Sequence, residues 1–375
     1  MRIVVVSESF LPTINGVTNS VMKVLDYLHL NGHDAIVIVP AAGAPREYAG
    51  FRVHEVPAFA YRQFPVGLPS PLVQKLIAEF KPDVIHAASA FLLGAQAIAA
   101  GTRLGIPSVA IFQTDVAGYA RRNGLGAATQ FAWRIVRWIH SGAELTLAPS
   151  SASMADLEAA GVDRLARWGR GVDLVTYHPR NRENRAALKL RERLSPHGEV
   201  VIGYVGRIAP EKQVERMAQL RRIPGIKLAI VGDGPSLPSV KRSLSGMPVT
   251  WLGKLTGAEL AAAYASFDVF LHTGTEETFG QTIQEAHASG LPVVAPHAGG
   301  PIDLVAHGIN GYLFDPADAS QLASFVEALV IDPELRARMG EAGRRAVLDK
   351  SWESVCGELV QYYEAVIASR KAMAV

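Results

Sequence analysis

Short apolar runs alternate with helical patterns along the chain. In the first half, the runs that predict strands are Ile3–Val6, Ala35–Val39, Val53–Val56, Asp83–Ala87, Ser108–Phe112 and Glu144–Ala148. Several of them are almost continuously apolar, which is typical of strands buried on both faces of a parallel sheet. Between the first two strands, five apolar residues recur at helical spacing from Val17 to Leu28 and predict a helix over Val17–Leu30.

A second series of the same kind begins near Val200. Its predicted strands are Val200–Val205, Lys227–Val231, Val249–Leu252, Val269–Leu271 and Pro292–Ala295. Its predicted helices include Gln213–Arg221, Ala258–Ala265 and Gly280–Ala288, and only helices follow Ala317, the last over Trp352–Ser369. Such alternation predicts parallel sheets with helices on both faces. Two series imply two doubly wound α/β domains, with the break around Arg164–Arg193.

Length and composition agree with two domains. The 375 residues are 49% hydrophobic and 19% charged, so the chain is not disordered by composition. Lys and Arg exceed Asp and Glu by 37 − 35 = 2, which gives no positive field for nucleic acid. The single cysteine, Cys356, excludes a disulfide framework and a cysteine-rich metal site. No apolar run reads as a signal peptide or a membrane span, so we expect a cytoplasmic enzyme or small-molecule binder.

Charge is uneven at the break between the two series. Nine Arg or Lys residues fall within Arg164–Arg193 against three acidic residues. A solvated linker and first helix is the favoured interpretation, and a basic strip beside a ligand or membrane is the alternative.

Ligands of doubly wound sheets bind at the carboxyl ends of the strands, so the loops after strands carry the candidate residues. After the first strand, Gly16 begins a helix, where it either admits an anion close to the backbone or merely forms a turn. The loop lacks the G-x-G-x-x-G pattern, and the second strand has no acidic residue at its end. Dinucleotide binding is therefore disfavoured.

Two loops of the second half offer phosphate ligands. Arg207 and Lys212 follow the strand Val200–Val205 and are suited to the two phosphates of a diphosphate. Alternatively, Lys212 is a surface cation paired with Glu215. After the next strand, Gly232-Asp233-Gly234 permits a tight loop that lines the cleft or simply turns the chain.

The segment His272–Ala286 is the most informative. Thr278 and Gln281 fit a capping box, which predicts a helix start there and free N–H groups at Phe279, Gly280 and Gln281. Glu277 precedes this start and Glu285 lies one turn beyond Gln281. The two carboxylates are placed to hold hydroxyls on two separate sugars. Alternatively, Glu277 partners the helix dipole and Glu285 is solvated.

In the first half, His86 ends one predicted strand, and Gln113 and Asp115 follow another. A lone histidine is usually structural, whereas the other two are suited to orienting an acceptor hydroxyl. The chain has no Asp-x-Asp pair, so we expect Arg207, Lys212 and helix N-termini, rather than a metal, to neutralise a diphosphate.

One amphipathic segment, Phe131–His140, carries a second hypothesis. Helical counting puts Phe131, Ile135, Trp138 and Ile139 on one face, which we expect to be buried. The opposite face holds Trp133, Arg134, Arg137 and His140. An ordinary core helix is favoured, and a membrane-surface contact through Trp133, Arg134 and Arg137 is the alternative.

Together these segments resemble the retaining glycosyltransferases of family 4, which have the GT-B fold of two Rossmann-like domains facing a cleft. The resemblance rests on Gly16, Gly206-Arg207 with Glu211-Lys212, Gly232-Asp233-Gly234-Pro235 and, above all, the pair Glu277 and Glu285. Gly171-Val172-Asp173 looks like the family's domain junction. It implies domains at residues 1–172 and 173–351, with the last helix, about 352–375, returning to the first.

The resemblance also implies roles. Arg207 and Lys212 would bind the donor diphosphate, Glu285 the ribose, and Glu277 with the Phe279–Gln281 amides the transferred sugar. Gly16 would approach the phosphates, and the loop Trp251–Leu255, with Trp251, Leu252, Lys254 and Leu255, would meet the base. Relatives carry histidine near the anomeric carbon where this chain has Gln113, which is neither acid nor base, so Asp115 or His86 would lend polar support.

The segments around Arg170 and Gln113 look most like actinobacterial GDP-mannose-dependent α-mannosyltransferases of glycolipid and lipomannan assembly. The expected activity is retaining transfer of mannose to a lipid-linked acceptor, without a metal, at the inner face of the membrane. The alternatives are a UDP-sugar-dependent relative and a nucleotide-sugar-binding protein without turnover.

Overall fold

Two parallel sheets and a hairpin contain all the strands in the described part of the chain. The computed structural model describes residues 1–61, 64–68, 70–113 and 126–373. The strands are β1 (Arg2–Val6), β2 (Asp34–Pro40), β3 (Glu47–Tyr48), β4 (Phe51–Val56), β5 (Ala58–Tyr61), β6 (Phe64–Gly67), β7 (Val84–Ala87), β8 (Ser108–Ile111), β9 (Leu145–Ala148), β10 (Leu165–Arg167), β11 (Val200–Val205), β12 (Ile226–Val231), β13 (Val249–Gly253), β14 (Val269–Leu271), β15 (Val293–Pro296) and β16 (Gly311–Phe314).

Helices connect the strands of both sheets. They are α1 (Gly16–Leu30), α2 (Pro71–Phe80), α3 (Leu92–Leu104), α4 (Gly126–His140), α5 (Ser151–Ala159), α6 (Arg185–Leu194), α7 (Leu237–Ser243), α8 (Gly257–Ala265), α9 (Gln281–Ala288), α10 (Pro301–Leu304), α11 (Ala319–Ile331), α12 (Pro333–Ala346) and α13 (Trp352–Met373). Three segments are 3-10 helices: Pro179–Glu183, Pro210–Lys212 and Val214–Arg222.

The chain forms two compact units. The first comprises Met1–Arg170 and Trp352–Val375, and the second comprises Gly171–Ser351. In the first unit, the strand order is β10-β9-β8-β7-β1-β2-β4-β3, with all pairs parallel except β3 and β4. The order changes direction between β1 and β7, so the loops that follow these two strands diverge at a topological switch point.

The second unit has the sheet order β13-β12-β11-β14-β15-β16, and its pairs are all parallel. This is the order of the doubly wound nucleotide-binding fold, with its switch point between β11 and β14. Two apolar clusters cover the two faces of the sheet, because neighbouring residues of each strand point to opposite sides. The prediction of two doubly wound α/β domains is confirmed.

Helix α13 belongs to the first unit although it is the last element of the chain. Its residues Val355, Leu359 and Tyr363 are buried in the core beneath β1 and α1. The indole Nε1 of Trp168 donates to the carbonyl of Val355 at 2.9 Å, and both the ring and this bond are buried. The first unit is therefore completed by a segment that follows the whole of the second.

One predicted helix needs correction, and the charged segment around the predicted break has local partners. The predicted helix Gln213–Arg221 is a 3-10 helix over Val214–Arg222, which follows Gln213 in the left-handed region at φ 47°. The Arg and Lys residues around the predicted break are divided between the two units. Arg191 pairs with Asp268 at 2.5 Å in the second unit, and Arg164 donates to the carbonyl of Ser141 in the first.

Candidate functional site

The second unit gathers charged side chains at its switch point. The loop after β11 contains Arg207 and runs into the 3-10 helix that ends at Lys212, while the loop after β14 runs from His272 to Gly280. Because β11 and β14 are adjacent parallel strands, both loops leave the same edge of the sheet. Residues 65 positions apart are thereby brought into contact.

Lys212 and Glu277 form an ion pair across these two loops. The ammonium Nζ lies 2.6 Å from Oε2 of the carboxylate, and the two side chains are 21% and 18% exposed. The loops are locked together, since Thr273 Oγ1 donates to the carbonyl of Lys212 at 2.6 Å. The alternative partner, Glu215, instead accepts a hydrogen bond from Ser239 Oγ. The surface-cation interpretation of Lys212 is therefore wrong.

Arg207 stands nearer to solvent. Its side chain is 61% exposed, and Nη2 lies 2.5 Å from Oε1 of Glu211. Burial is the largest single influence and opposes ionisation of Glu211, but its hydrogen bonds and the charges of Arg207 and Lys212 together outweigh burial and lower the pKa of Glu211. The backbone is fixed by Tyr204, whose hydroxyl donates to the carbonyl of Arg207 at 3.0 Å. The guanidinium is thus exposed on a fixed backbone, with Glu211 as its carboxylate partner.

The glycine loop after β12 supports the loop after β11. Gly232 has φ 134°, and a Cβ there would lie 1.9 Å from the carbonyl oxygen of Gly206. Only glycine permits this approach. Ile208 N–H donates to the carbonyl of Asp233 at 2.9 Å, while the Asp233 carboxylate is exposed and accepts from Gly234 N–H. The Asp233 carboxylate therefore stabilises the turn of its own loop.

The start of helix α9 differs from the prediction. The helix begins at Gln281, and its N-cap is Gly280, with φ 106° and no side-chain cap. The capping box of Thr278 and Gln281 is wrong, because a left-handed glycine makes the turn instead. Phe279 is 6% exposed, and the side chain of Gln281 donates from Nε2 to the carbonyl of Gly171 at 3.0 Å.

Two glycines that sequence reasoning missed hold Glu277 in place. Gly300 N–H donates to the carbonyl of Glu277 at 2.7 Å. A Cβ on Gly300 would lie 2.2 Å from the carbonyl oxygen of Phe279, and one on Gly299 would lie 2.4 Å from that of Glu277. The Gly299-Gly300 dipeptide after β15 was a signal in the sequence, but nothing there indicated which loop it would contact.

Glu285 is partly buried on helix α9. Burial raises its pKa to about 7, while a hydrogen bond from Tyr264 opposes that rise. The hydroxyl of Tyr264 donates to Oε2 of Glu285 at 2.8 Å, and Tyr264 itself is fully buried. The interpretation of Glu285 as a solvated side chain is therefore wrong. Tyr264 was missed because one aromatic residue in an alanine-rich helix reads as ordinary core.

The predicted base-contacting loop spans the end of β13. Trp251 lies within this strand, partly buried, with the ammonium of Lys241 5.5 Å from its ring centre. Leu252 and Leu255 pack against the core on the other face of the sheet, and Lys254 is exposed. The N-terminal part of this loop is thus anchored to the core, whereas the Lys254 side chain is exposed to solvent.

The first unit holds a separate cluster of predicted residues. Gln113 is 9% exposed, and Oε1 accepts a hydrogen bond from Arg170 Nη2 at 3.0 Å. Arg170 Nη1 would lie 2.7 Å from a Cβ on Gly16, at the start of α1. Asn15 caps this helix through Oδ1, which accepts from the N–H groups of Val17 and Thr18. A guanidinium is therefore held beside a helix N-terminus.

One first-half prediction, His86, does not join this cluster. His86 is 1% exposed, its pKa is lowered to about 3 by burial, and Nδ1 lies 2.7 Å from the hydroxyl of Tyr363. It is a buried core residue and not a substrate ligand, so that expectation is wrong. Asp115 lies outside the described residues.

Helix α4 presents a different face from the one predicted. Phe131 and Trp138 are 64% and 70% exposed, whereas Ile139 and His140 are buried. His140 is tolerated inside because Nδ1 lies 3.1 Å from Oγ1 of Thr146. Trp133 stacks on Phe112, with ring centres 6.3 Å apart. The exposed aromatic pair is therefore Phe131 and Trp138, flanked by the exposed Arg134 and Arg137.

The described residues contain neither a metal-binding cluster nor a membrane-spanning helix. No group of three or more His, Cys, Asp or Glu side chains there is arranged to hold a metal ion. Within the same part of the chain, the helices are too short or too polar to cross a membrane.

Each half of the chain matches a model of a known glycosyltransferase family. The profile of "Glycosyltransferase Family 4" matches residues 14–176, and that of "Glycosyl transferases group 1" matches residues 187–346. A GDP-mannose-dependent alpha-mannosyltransferase of Mycolicibacterium smegmatis is 47% identical over 100% of both chains. One of the same name from Corynebacterium glutamicum is 43% identical over 98% of this chain and 90% of its own.

Comparison with solved structures identifies the fold. The Anabaena protein Alr3699/HepE in complex with UDP has a TM-score of 0.81 at 22% identity, over 97% of this chain and 100% of its own. A sucrose-phosphate synthase from Thermosynechococcus elongatus has a TM-score of 0.78 at 19% identity, over 98% and 99% of the two chains. These similarities confirm the GT-B fold.

Proposed function

We propose, from the premise that this chain belongs to the family 4 glycosyltransferases, that it transfers mannose from GDP-mannose to an acceptor hydroxyl, forming an α-linkage. The relatives that are 43–47% identical over almost their entire length support this donor and sugar. The observation that carries the proposal is the Lys212–Glu277 pair at the switch point of the second unit. It joins a cation for phosphate and a carboxylate for sugar hydroxyls.

The donor diphosphate binds to fixed positive charge in this proposal. Lys212 supplies an ammonium on a short 3-10 helix, and Arg207 supplies an exposed guanidinium five residues earlier. Arginine is suited to two phosphate oxygens at once and lysine to one. Glu285, partly buried and fixed by Tyr264, holds the ribose hydroxyls. In the first unit, the Arg170 guanidinium lies beside Gly16 at the start of α1.

Mannose is transferred with its anomeric configuration retained. As the bond from the anomeric carbon to the diphosphate breaks, charge develops on the leaving oxygen, where preorganised cations stabilise it most. The acceptor oxygen then bonds to the anomeric carbon on the same face, and its proton passes to the departing phosphate. Glu277 holds the sugar. Gln113 is neither an acid nor a base, so its role is to orient Arg170.

The acceptor is a lipid-linked glycan or glycolipid at an anionic membrane surface. The support is the exposed face of α4, where Phe131 and Trp138 stand beside Arg134 and Arg137. Aromatic side chains among arginines are typical of a helix that lies in the lipid interface. The protein should therefore sediment with anionic vesicles and be released by salt. Trp138→Ser should weaken this, and Leu30→Ser, at another exposed apolar residue of the same unit, should not.

Transfer from labelled GDP-mannose to a bacterial lipid extract tests the activity. Lys212→Met should lower kcat/KM by about 100-fold or more, since one charge-stabilising group is lost at the leaving oxygen. Lys189→Met, at an exposed lysine of the same unit, is the control. NMR of the product should show the α-anomer. Tight donor binding without any labelled product would instead support a nucleotide-sugar-binding protein.

Metal independence is part of the proposal because Lys212 and Arg207 neutralise the diphosphate in place of a metal ion. The transfer rate should be unchanged after EDTA treatment. A rate that falls with EDTA and returns with Mg²⁺ would contradict it. Comparing GDP-mannose with UDP-sugars by thermal shift tests the donor, and a larger shift with a UDP-sugar would favour the alternative relative.

A further inference from the structure

His272 is a buried imidazole that the proposed chemistry leaves without a role. It follows β14, and its backbone N–H donates to the carbonyl of Val294 at 2.9 Å, which extends the strand pairing. The residue is 2% exposed. Among the described residues, neither Nδ1 nor Nε2 has a hydrogen-bond partner of acceptable geometry. A buried polar group in that state lowers stability, so its presence in the fold calls for an explanation.

The ring faces the ion pair of the site. Its Nε2 lies 3.9 Å from Oε2 of Glu277, the same oxygen that accepts from Lys212 Nζ at 2.6 Å. Burial, helped by the neighbouring ammonium of Lys212, lowers the pKa of His272 to about 4, although the charge of Glu277 and a contact with the backbone of Gly274, outside good hydrogen-bond geometry, act in the opposite direction. At neutral pH the ring is therefore uncharged and has one N–H to donate.

Lys212 has two competing tasks when the donor is bound. Its ammonium neutralises Glu277 in the structure, yet in the proposed function it also binds the diphosphate. As Lys212 turns toward phosphate, Glu277 loses part of its support while it must accept hydrogen bonds from sugar hydroxyls. Nε2 of His272 needs to approach by only about 1 Å to come within hydrogen-bond distance of that carboxylate.

We infer that His272 is a positioning residue that holds Glu277 when nucleotide sugar is bound, by donating a hydrogen bond from Nε2–H to the carboxylate. This inference rests on the proposed function, in which Glu277 contacts the transferred sugar. In this inference, the hydrogen bond between His272 and Glu277 forms only when nucleotide sugar is bound. It also assigns the proton to Nε2, because Nε2 is the nitrogen identified near Glu277.

Two variants separate hydrogen bonding from packing. In His272→Gln the terminal amide nitrogen reaches about as far as Nε2 and donates, whereas His272→Leu fills similar space and cannot donate. Calorimetric titration with GDP and with GDP-mannose measures the contribution of the sugar. We expect both variants to bind GDP as the wild type does. The advantage of GDP-mannose over GDP should fall about tenfold in His272→Leu and remain within about threefold in His272→Gln.

A packing role gives different results. If His272→Leu binds GDP-mannose as well as His272→Gln does, or if both variants lose GDP and GDP-mannose affinity equally, the inference is overturned. Nitrogen NMR of the wild-type imidazoles with GDP-mannose bound gives a test that needs no variant. A proton on Nε2 of His272 supports the inference, and one on Nδ1 overturns it.

A third variant keeps the inference separate from the proposed function. Glu277→Gln should lose the advantage of GDP-mannose over GDP whatever His272 does. If Glu277→Gln retains it, Glu277 does not hold the sugar, and both proposals fail. If Glu277→Gln loses it while His272→Leu does not, only the role of His272 is wrong.

Discussion

Replacing Glu285 by glutamine should change how the stability of the second unit depends on pH. Burial raises the pKa of this carboxyl from 4.5 to about 7. Because the pKa is raised in the folded state, the contribution of Glu285 to the free energy of unfolding is greatest below pH 4.5, where the group is protonated in both the folded and the unfolded state. This contribution is lost as the pH rises through 7, because the folded state must then bury a charge. A shift of this size corresponds to about 3 kcal/mol.

Glu285→Gln removes the titration and keeps an oxygen that can accept from Tyr264. Relative to the wild type, the variant should therefore gain about 3 kcal/mol in free energy of unfolding between pH 4.5 and pH 8. Hydrogen exchange of amides in β11 and β14 reports opening of this unit. Comparing both proteins at the same pH cancels the intrinsic exchange rate. Glu259→Gln, at an exposed carboxylate of the same unit, is the matched control.

The result that refutes this reasoning is a parallel pH dependence for Glu285→Gln and the wild type. It would mean that water reaches the carboxylate and that Glu285 is ionised at neutral pH in the free protein. If the difference appears also in Glu259→Gln, general charge repulsion and not burial is its cause.

Three further substitutions test individual contacts. Tyr363→Phe should lower the free energy of unfolding by about 1–3 kcal/mol, because His86 loses its buried hydrogen-bond partner. The value of kcat, measured well below the unfolding temperature, should not change. A large fall in kcat would show that His86 belongs to the site. Gly300→Ala should reduce the transfer rate and the stability measured by urea unfolding, because the added Cβ would lie 2.2 Å from the Phe279 carbonyl oxygen. Wild-type values of both would show that the loop can shift to accommodate the methyl group. Gly16→Ala should preserve the melting temperature but weaken donor affinity, because its methyl group only displaces the end of Arg170; unchanged affinity would exclude this position from the donor site.

Strands were the most predictable part of the fold. Val200–Val205 and Val269–Leu271 were predicted at their observed bounds, because buried parallel strands are apolar along their whole length. The hairpin of β5 and β6 was missed. The helix start at Gln281 was mispredicted because Thr278 and Gln281 fit a capping box, whereas the backbone turns at Gly280.

The face of α4 shows why helical counting was insufficient. Counting hydrophobic positions placed Phe131 and Trp138 inside, yet the buried positions include His140, which Thr146 satisfies. That partner lies on a different element and could not be read from the helix. The same holds at the site: sequence indicated Lys212 and Glu277 separately, but their contact depends on the adjacency of β11 and β14.

The position of α13 has a consequence for synthesis on the ribosome. The second unit is an insertion between two stretches of chain that build the first, so all of its residues emerge before Trp352. Until then, Trp168 and Tyr363 cannot meet their partners, and the apolar underside of β1 remains uncovered. Nascent chains should therefore become protease-resistant in residues 171–351 first, and the amino-terminal half should become resistant only after the helix Trp352–Met373 has been synthesised.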